Sequence, residues 1–172
     1  FTATIEAIHA KGDVIEMENK IVGAGRLART TTDAAEALRG AEIVYFTAPS
    51  FAQKAFFDLA LPHFENGQVL VLSPGNYGTF GLKDAFRKLG KNVLVGETDN
   101  LPYACAAVEP GRVNVRGVKN PVTLAVLPNS DYDRVDAVMR DAFCTSYKRG
   151  ANVLQTSISN TNMVVHCVPM LM

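Results

Sequence analysis

The chain has 172 residues, and 17 lysines and arginines balance 17 aspartates and glutamates, so the net charge is zero with three histidines counted as neutral. This length allows one domain with a sizeable core, and 48% hydrophobic and 20% charged residues are typical of a folded globular protein, which excludes disorder as its main character. The neutral charge, with no compensating cluster of lysine and arginine, excludes nucleic acid as an expected partner.

The apolar stretches and the cysteines indicate the cellular compartment of the protein. Proline, glycine or a charged residue interrupts each apolar stretch within about eight positions, so we predict neither a transmembrane helix nor a signal peptide. Cys105, Cys144 and Cys167 are odd in number and lack metal-ligand spacing, which favours a reducing compartment. We therefore expect a cytoplasmic protein with no membrane association and no metal.

The two ends of the sequence predict a fragment. It opens at Phe1 rather than at a methionine, inside a predicted helix, and stops at Met172 within an apolar helical run. We therefore expect a piece of a longer protein.

The first third of the sequence predicts a helix, a hairpin and a second helix. Residues 2–12 have helical apolar spacing and end at a glycine. Residues 13–30 include "VGAGR" and favour short strands or a hairpin at a sheet edge. The alternative, a phosphate-binding loop, requires a buried strand before the glycines and a long helix directly after them. Thr32 or Asp33 predicts the N-cap of the second helix.

The middle of the sequence alternates strands and helices. Three apolar runs of strand length predict strands buried on both faces of a parallel sheet: "EIVYFTAP", "QVLVLS" and "NVLVGE". Helices are predicted between them over residues 51–64 and 81–90, and Ser50 with Gln53 predicts a capping box for the first. This order predicts an α/β fold with parallel strands.

After Glu97 the pattern changes. Alternation around the Pro110-Gly111 turn predicts a hairpin, and residues 121–128 predict one more strand, which gives the sheet an antiparallel or mixed edge. Ser130 with Asp133 predicts the cap of a further helix.

The last segment begins a new element. An extended stretch is expected through Leu154, and Asn160 predicts the N-cap of a final helix. Asn162 and His166 lie four residues apart on one face of that helix. From spacing alone, His166 is either a core residue or a catalytic acid/base, and Asn162 orients it or binds a substrate carboxylate.

Two loops are candidates for a ligand site because ligands of open α/β sheets bind at the carboxyl ends of the strands. Ala48 and Pro49 lie in "TAPS", and Pro74 and Gly75 lie in "SPGNYG". The alternative is that these prolines and glycines only form turns. Cys105 is predicted from its residue type to be a buried small hydrophobe.

Four blocks of sequence resemble the octopine/nopaline (opine) dehydrogenase family: "TTDAAEALRGAEIVYFTAPSFAQ", "VLSPGNYGT", "GETDNLPYAC" and "SISNTNMVVHCVPMLM". The likeness extends over about residues 31–172, and its more specific parts are "ETDNLPYAC" and the pair Asn162 and His166.

The resemblance implies a two-domain fold. Residues 1–150 would form a Rossmann-like sheet that lacks its first βα unit and binds NAD or NADP. Residues 151–172 would be the linker and first helix of an all-helical substrate domain, which is truncated here.

The resemblance also implies roles for single residues. His166 would be the catalytic acid/base, with an acidic partner from the helical domain. The cofactor groove would be lined by Ala48, Pro49, Pro74 and Gly75, and the substrates would be approached by Asn100, Cys105 and Asn162. Two departures concern substrate identity: Cys167 stands where proline is more usual, and Ala106 stands where a basic residue is common.

The implied reaction is NAD(P)H-dependent reductive condensation of an amino acid with a 2-oxo acid such as pyruvate. One alternative is a two-domain 2-oxo or 2-hydroxy acid dehydrogenase of the ketopantoate reductase type, which needs no amine. Another is a Rossmann module that binds nucleotide without turnover. The expected partners are small molecules, with a homodimer as the assembly.

Overall fold

The computed structural model describes residues 2–143 and 145–160. Within them the chain forms two β-sheets with helices packed against them. The strands are β1 (Val14–Asn19), β2 (Gly23–Arg26), β3 (Ile43–Phe46), β4 (Val69–Leu72), β5 (Leu94–Thr98), β6 (Tyr103–Glu109), β7 (Arg112–Val118), β8 (Val122–Leu127) and β9 (Tyr147–Arg149). The helices are α1 (Thr2–Ala10), α2 (Ala34–Leu38), α3 (Gln53–Ala60), α4 (Gly78–Lys88), α5 (Tyr132–Ala142) and α6 (Val153–Ile158).

The larger sheet has five strands in the order β3-β4-β5-β8-β9. β3, β4 and β5 are parallel, with α3 and α4 in the connections between them, so the predicted βα alternation is confirmed. β8 runs antiparallel to β5 and β9 runs parallel to β8, which confirms the mixed edge. The sheet has the Rossmann-like arrangement that the resemblance implies.

Apolar side chains cover both faces of this sheet. On one face, Phe57 of α3 and Phe86 of α4 pack in a cluster with Leu70 and Leu72 of β4. On the other face, α5 packs against the alternate residues of the strands. Because β4 is buried along its whole length, its continuous apolar run follows directly from its central position.

β3 differs from the expectation for a fully buried strand. Only Phe46 is buried, whereas Ile43, Val44 and Tyr45 are half-buried. β3 is an edge strand of the described sheet with a neighbour on one side only, and a purely apolar run cannot distinguish an edge strand from a central one.

The smaller sheet has four strands in the order β2-β1-β7-β6. The glycines of "VGAGR" lie in β2, which pairs antiparallel with β1, so the hairpin prediction is confirmed for this segment. β6 and β7 form the second predicted hairpin, with Gly111 at φ +82° in the turn. β1 joins the two hairpins by running parallel to β7, with Glu16 opposite Arg112.

The helix N-termini confirm one predicted cap and contradict two. The Asp33 side chain accepts a hydrogen bond from the Glu36 backbone N–H at 3.0 Å, as predicted. Ser50 and Gln53 form no capping box, because both side chains bond to the loop after β4 instead. A 3₁₀ turn over Asn129–Asp131 precedes α5, which begins without the predicted side-chain cap from Ser130 and Asp133.

The end of the described chain also corrects an expectation. The extended stretch predicted through Leu154 is confirmed for β9 but wrong at its end, because α6 begins at Val153. Its N-cap is Asn152, whose side chain accepts from the Gln155 backbone N–H at 3.1 Å. None of the helices in the described ranges is long and apolar enough to cross a membrane.

Candidate functional site

The loops after β3 and β4 lie side by side because the two strands are parallel neighbours. Ala48 is half-buried and Pro49 is exposed in the first loop, whereas Pro74 is half-buried and Gly75 is buried in the second. Gln53, at the start of α3, donates from Nε2 to the Gly75 carbonyl at 3.1 Å. The structure therefore brings the four predicted cofactor residues onto two connected loops at the carboxyl edge of the parallel strands.

The loop after β4 has an unusual backbone. Asn76 and Tyr77 have φ values of +49° and +67°, in the left-handed region that most residues avoid. The Asn76 side chain donates to the hydroxyl of Ser50, which adds a second connection between the two loops. Side chains from outside the loop therefore hold it in its shape.

Gly75 is required by the packing at this edge. A Cβ added at this residue would overlap the side chain of Glu97, including the Glu97 Cβ, which has no freedom to move away. The position that a side chain would occupy at Gly75 is thus filled by another residue of the protein.

Glu97 on β5 is completely buried. One carboxylate oxygen, Oε2, accepts from the Thr79 hydroxyl of α4. The other, Oε1, accepts from the hydroxyls of Thr156 and Ser157 of α6, both at 2.6 Å. In the described part of the chain no lysine or arginine forms an ion pair with Glu97, so hydroxyl groups take the place of a counter-charge.

A chain of hydroxyls lies on the opposite face of the sheet, at the same edge. Tyr45 donates to Ser73 Oγ at 2.7 Å, and Ser73 is 2.7 Å from the hydroxyl of Thr98. Ser73 and Thr98 both bond to the Asn100 carbonyl, at 3.1 and 2.8 Å. Burial raises the pKa of the Tyr45 phenol above its ordinary value.

Asn100, a predicted substrate residue, is held at this edge by both its backbone and its side chain. Its Oδ1 accepts from Lys119 Nζ at 2.6 Å, and Lys119 is exposed. An exposed ammonium group therefore lies next to Asn100. Its positive charge favours the approach of a carboxylate.

Cys105 occupies a different environment from the one predicted. It is exposed on β6, in the four-stranded sheet, where the pairing with β7 shifts register between Ala104 and Cys105. The expectation of a buried small hydrophobe is wrong because β6 has exposed residues on both sides of the strand. Its predicted role toward substrate stays a prediction.

Asn162 and His166 lie outside the described residues, as do Cys144 and Cys167. The segment that leads to them is described as far as Asn160, whose Nδ2 donates to Asn76 Oδ1 at 2.8 Å. The Tyr77 backbone N–H donates to Ser157 Oγ at 2.9 Å. The loop that carries Pro74 and Gly75 is therefore bonded directly to α6 and to Asn160.

Several polar residues of this edge were missed by reasoning from the sequence. Glu97 had a usable signal, since a charged residue at the end of a buried apolar strand needs buried partners. The sequence signal was weaker for Ser73, which directly follows the buried strand β4, and for Thr98, which ends the buried strand β5. Lys119 gave no signal in the sequence, since it is one exposed lysine directly after β7 and only the fold brings it to Asn100.

The chain is similar to opine dehydrogenases. The chain is 25% identical over 174 residues to an opine dehydrogenase of Arthrobacter sp. (strain 1C), a match that covers 98% of this chain and 47% of that protein. The resemblance to opine dehydrogenases is confirmed. The chain spans about half the length of this relative. No family model matches the chain.

Solved structures of opine dehydrogenases share the fold. A structure of octopine dehydrogenase described with NADH and pyruvate matches with a TM-score of 0.74 at 21% identity, over 95% of this chain and 45% of that one. Yersinopine dehydrogenase with NADP⁺ bound matches with a TM-score of 0.71 at 15% identity, over 95% of this chain and 42% of that one.

The fold is also shared beyond opine dehydrogenases. A ketopantoate reductase from Ralstonia eutropha JMP134 matches with a TM-score of 0.61 at 18% identity, over 87% of this chain and 46% of that one. The match to octopine dehydrogenase covers more of this chain and has the higher TM-score.

Proposed function

We propose that the protein is an NAD(P)H-dependent oxidoreductase of the opine dehydrogenase type. It condenses the amino group of an amino acid with a 2-oxo acid such as pyruvate and reduces the product. The observation that carries this proposal is the match to an opine dehydrogenase along 98% of the chain. The polar carboxyl edge of the parallel strands supports it, because that is where ligands of open α/β sheets bind.

The two loops at this edge fit a nicotinamide dinucleotide. Ala48 and Pro74 are half-buried and Pro49 is exposed, and the bond from Gln53 to the Gly75 carbonyl keeps the loops together. These residues would line the cofactor groove with Gly75, and the bound nicotinamide would supply the hydride.

The substrate residues divide between binding and proton transfer. Asn100 and Cys105 would face the oxo acid and the nicotinamide side of the site, and the ammonium of Lys119 beside Asn100 would attract a substrate carboxylate. Asn162 would bind substrate, and His166 would be the acid/base group, since a histidine titrates near neutral pH.

The balanced reaction defines what His166 has to do. An amine and a 2-oxo acid lose water to form an imine, and the imine takes up one hydride and one proton to give a secondary amine. His166 would hold or deliver that proton at the reacting nitrogen or oxygen.

The division of the chain follows the same proposal. Residues 1–150 would be the dinucleotide-binding domain, and residues 151–172 would lead into a helical substrate domain. The cytoplasm is the proposed location, which the exposed free thiol of Cys105 supports. Assembly as a homodimer stays a prediction.

A second candidate is a carbonyl reductase of the ketopantoate reductase type. The shared fold favours it, and it differs from the main proposal in needing no amine. A nucleotide-binding module without turnover is a third possibility from the sequence, and it has no observation in its favour.

The experiment is a steady-state assay of NADH and NADPH oxidation by the full-length protein. Pyruvate and other 2-oxo acids are supplied with and without a panel of amino acids. We expect oxidation that requires both substrates. Oxidation by the oxo acid alone would indicate the carbonyl reductase, and cofactor binding without oxidation would indicate the binding module.

His166→Ala tests the assigned acid/base. We expect kcat to fall by about 10²- to 10⁴-fold with little change in the dissociation constant for NADH, since general acid–base catalysis contributes on this scale. Near-normal turnover would overturn the assignment of His166 and leave the reaction class standing.

A further inference from the structure

Glu97 is a buried acid to which the proposed reaction assigns no role. Its side chain has no solvent exposure, and its hydrogen-bond donors are the hydroxyls of Thr79, Thr156 and Ser157. Burying a carboxylate is costly unless it is well hydrogen-bonded, so an apolar residue would be the simpler way to fill this space.

The Glu97 carboxylate connects two segments that are far apart in the sequence. On one side it contacts Gly75 and Thr79, at the predicted cofactor loop and the N-terminus of α4. On the other side it contacts Thr156 and Ser157, about 60 residues later in the chain. The positive end of the α4 dipole further stabilises a carboxylate at this place.

Two other hydrogen bonds join the same segments. The Tyr77 N–H donates to Ser157 Oγ at 2.9 Å, while the Ser157 hydroxyl itself donates to Glu97. Asn160 donates to Asn76 at 2.8 Å. Because Ser157 takes part in both sets of bonds, Glu97 fixes the orientation of the hydroxyl that accepts from the loop.

We propose that Glu97 is a positioning residue that locks the cofactor loop to α6 and so aligns bound cofactor with the segment that carries Asn162 and His166. This inference rests on the proposed function. A carboxylate suits the task because it only accepts hydrogen bonds, so the Thr79 and Ser157 hydroxyls donate to it. The Thr156 hydroxyl is shared between Glu97 Oε1 at 2.6 Å and the Val153 carbonyl at 2.9 Å.

The test uses Glu97→Gln in the full-length protein, because glutamine keeps the size of the side chain and replaces one acceptor oxygen with a donor. We expect kcat to fall about 10- to 100-fold, the scale of a small misalignment, while the dissociation constant for NADH changes less than about threefold. If Glu97 had a purely structural role, the substitution would lower the melting temperature, and kcat measured well below that temperature would be unchanged.

A second readout does not depend on turnover. Hydrogen exchange of the backbone amides over residues 153–160 is measured with and without NADH, and again with NADPH. In the wild-type protein we expect cofactor binding to slow exchange in this segment, and in Glu97→Gln we expect binding without that protection.

Matched variants distinguish the loss of the connection between the cofactor loop and α6 from a general loss of stability. Thr156→Val and Ser157→Ala remove the donors on α6 and keep Glu97, so they should reproduce the loss of protection, and they decide the question if Glu97→Gln does not fold. Gln68→Met removes a buried polar side chain at the opposite edge of the sheet and should leave both kcat and the protection unchanged.

The outcomes are distinct. Unchanged kcat, or unchanged cofactor-dependent protection in Glu97→Gln, overturns the positioning role. If the wild-type protein binds cofactor but shows no amine-dependent turnover, the proposed function fails and the exchange data still decide the role of Glu97. If the wild-type protein binds neither NADH nor NADPH, both proposals are overturned.

Discussion

The five-stranded sheet has an amino edge, where its parallel strands begin, and a carboxyl edge, where they end. These two edges use buried polar side chains in different ways. At the amino edge, Gln68 donates to the carbonyls of Leu38 and Ala41 and accepts from the Glu65 N–H. At the carboxyl edge, Glu97 accepts from three side-chain hydroxyls, and Ser73 bonds to the side chains of Tyr45 and Thr98 as well as to the Asn100 carbonyl. Gln68 thus ties the amino edge to backbone groups alone, whereas the carboxyl edge adds to its backbone bonds a set of bonds between side chains of distant segments.

This difference has a physical meaning. Bonds to backbone carbonyls order turns whatever the neighbouring side chains are, and they are the common solution in proteins. Bonds between side chains are a minority, and a buried network of them specifies one arrangement only when all its members are satisfied. The amino edge is therefore built for stability, and the carboxyl edge for the precise placement of separate segments.

Gly75→Ala should have the largest effect on the carboxyl edge. The added methyl group would overlap Glu97, which is buried and bonded on both oxygens, so we expect a loss of about 3 kcal/mol in the free energy of unfolding together with loss of turnover. Urea denaturation and the NADH oxidation assay measure the two effects.

Gly81→Ala is the matched control. Gly81 lies in α4 with open space around its Cβ position, so alanine should stabilise the protein by about 1 kcal/mol through helix propensity. Equal effects at Gly75 and Gly81 would contradict the close packing inferred at Gly75.

Gln68→Met should have a smaller effect, confined to stability. It leaves the backbone groups at Leu38, Ala41 and Glu65 without their partner, for which we expect a loss of about 2 kcal/mol in the free energy of unfolding. The dissociation constant for NADH and kcat, measured well below the melting temperature, should not change. A large change in kcat would remove the distinction between the two edges.

Tyr45→Phe should have the smallest effect, about 1 kcal/mol, since Ser73 keeps its bonds to Thr98 and to the Asn100 carbonyl. The variant also tests the raised pKa of Tyr45. Because the folded state holds this proton more tightly than the unfolded state, its contribution to stability is present below the unfolded pKa of about 10 and is lost as the pH rises above it. Denaturation between pH 8 and 11 should show a flatter alkaline decline in Tyr45→Phe.

The elements of the fold were predictable where local pattern decides the structure. The apolar runs of β4 and β5 occupy central positions, and the Pro110-Gly111 turn forms the hairpin that its residues favour. Exposure was not predictable for β3, because it depends on how many neighbours the strand has in the folded sheet.

The candidate site was less predictable because its contacts are between distant segments. Ser50 and Gln53 have the spacing of a capping box, yet both bond to the loop after β4, more than 20 residues away. Glu97 marks a strand end in the sequence, whereas its three donors come from 18 residues before it and from about 60 residues after it. Spacing rules describe neighbours within a few residues, so they cannot detect such partners.

The parallel pairing of β1 with β7 has a consequence for synthesis on the ribosome. Glu16 of β1 lies opposite Arg112 of β7, so nearly one hundred residues are translated before β1 acquires this partner. At about 5–20 residues per second, the free edge of the nascent β1–β2 hairpin stays open for roughly five to twenty seconds. An unpaired strand edge is a template for wrong pairing, so this hairpin is open to wrong pairing for that time.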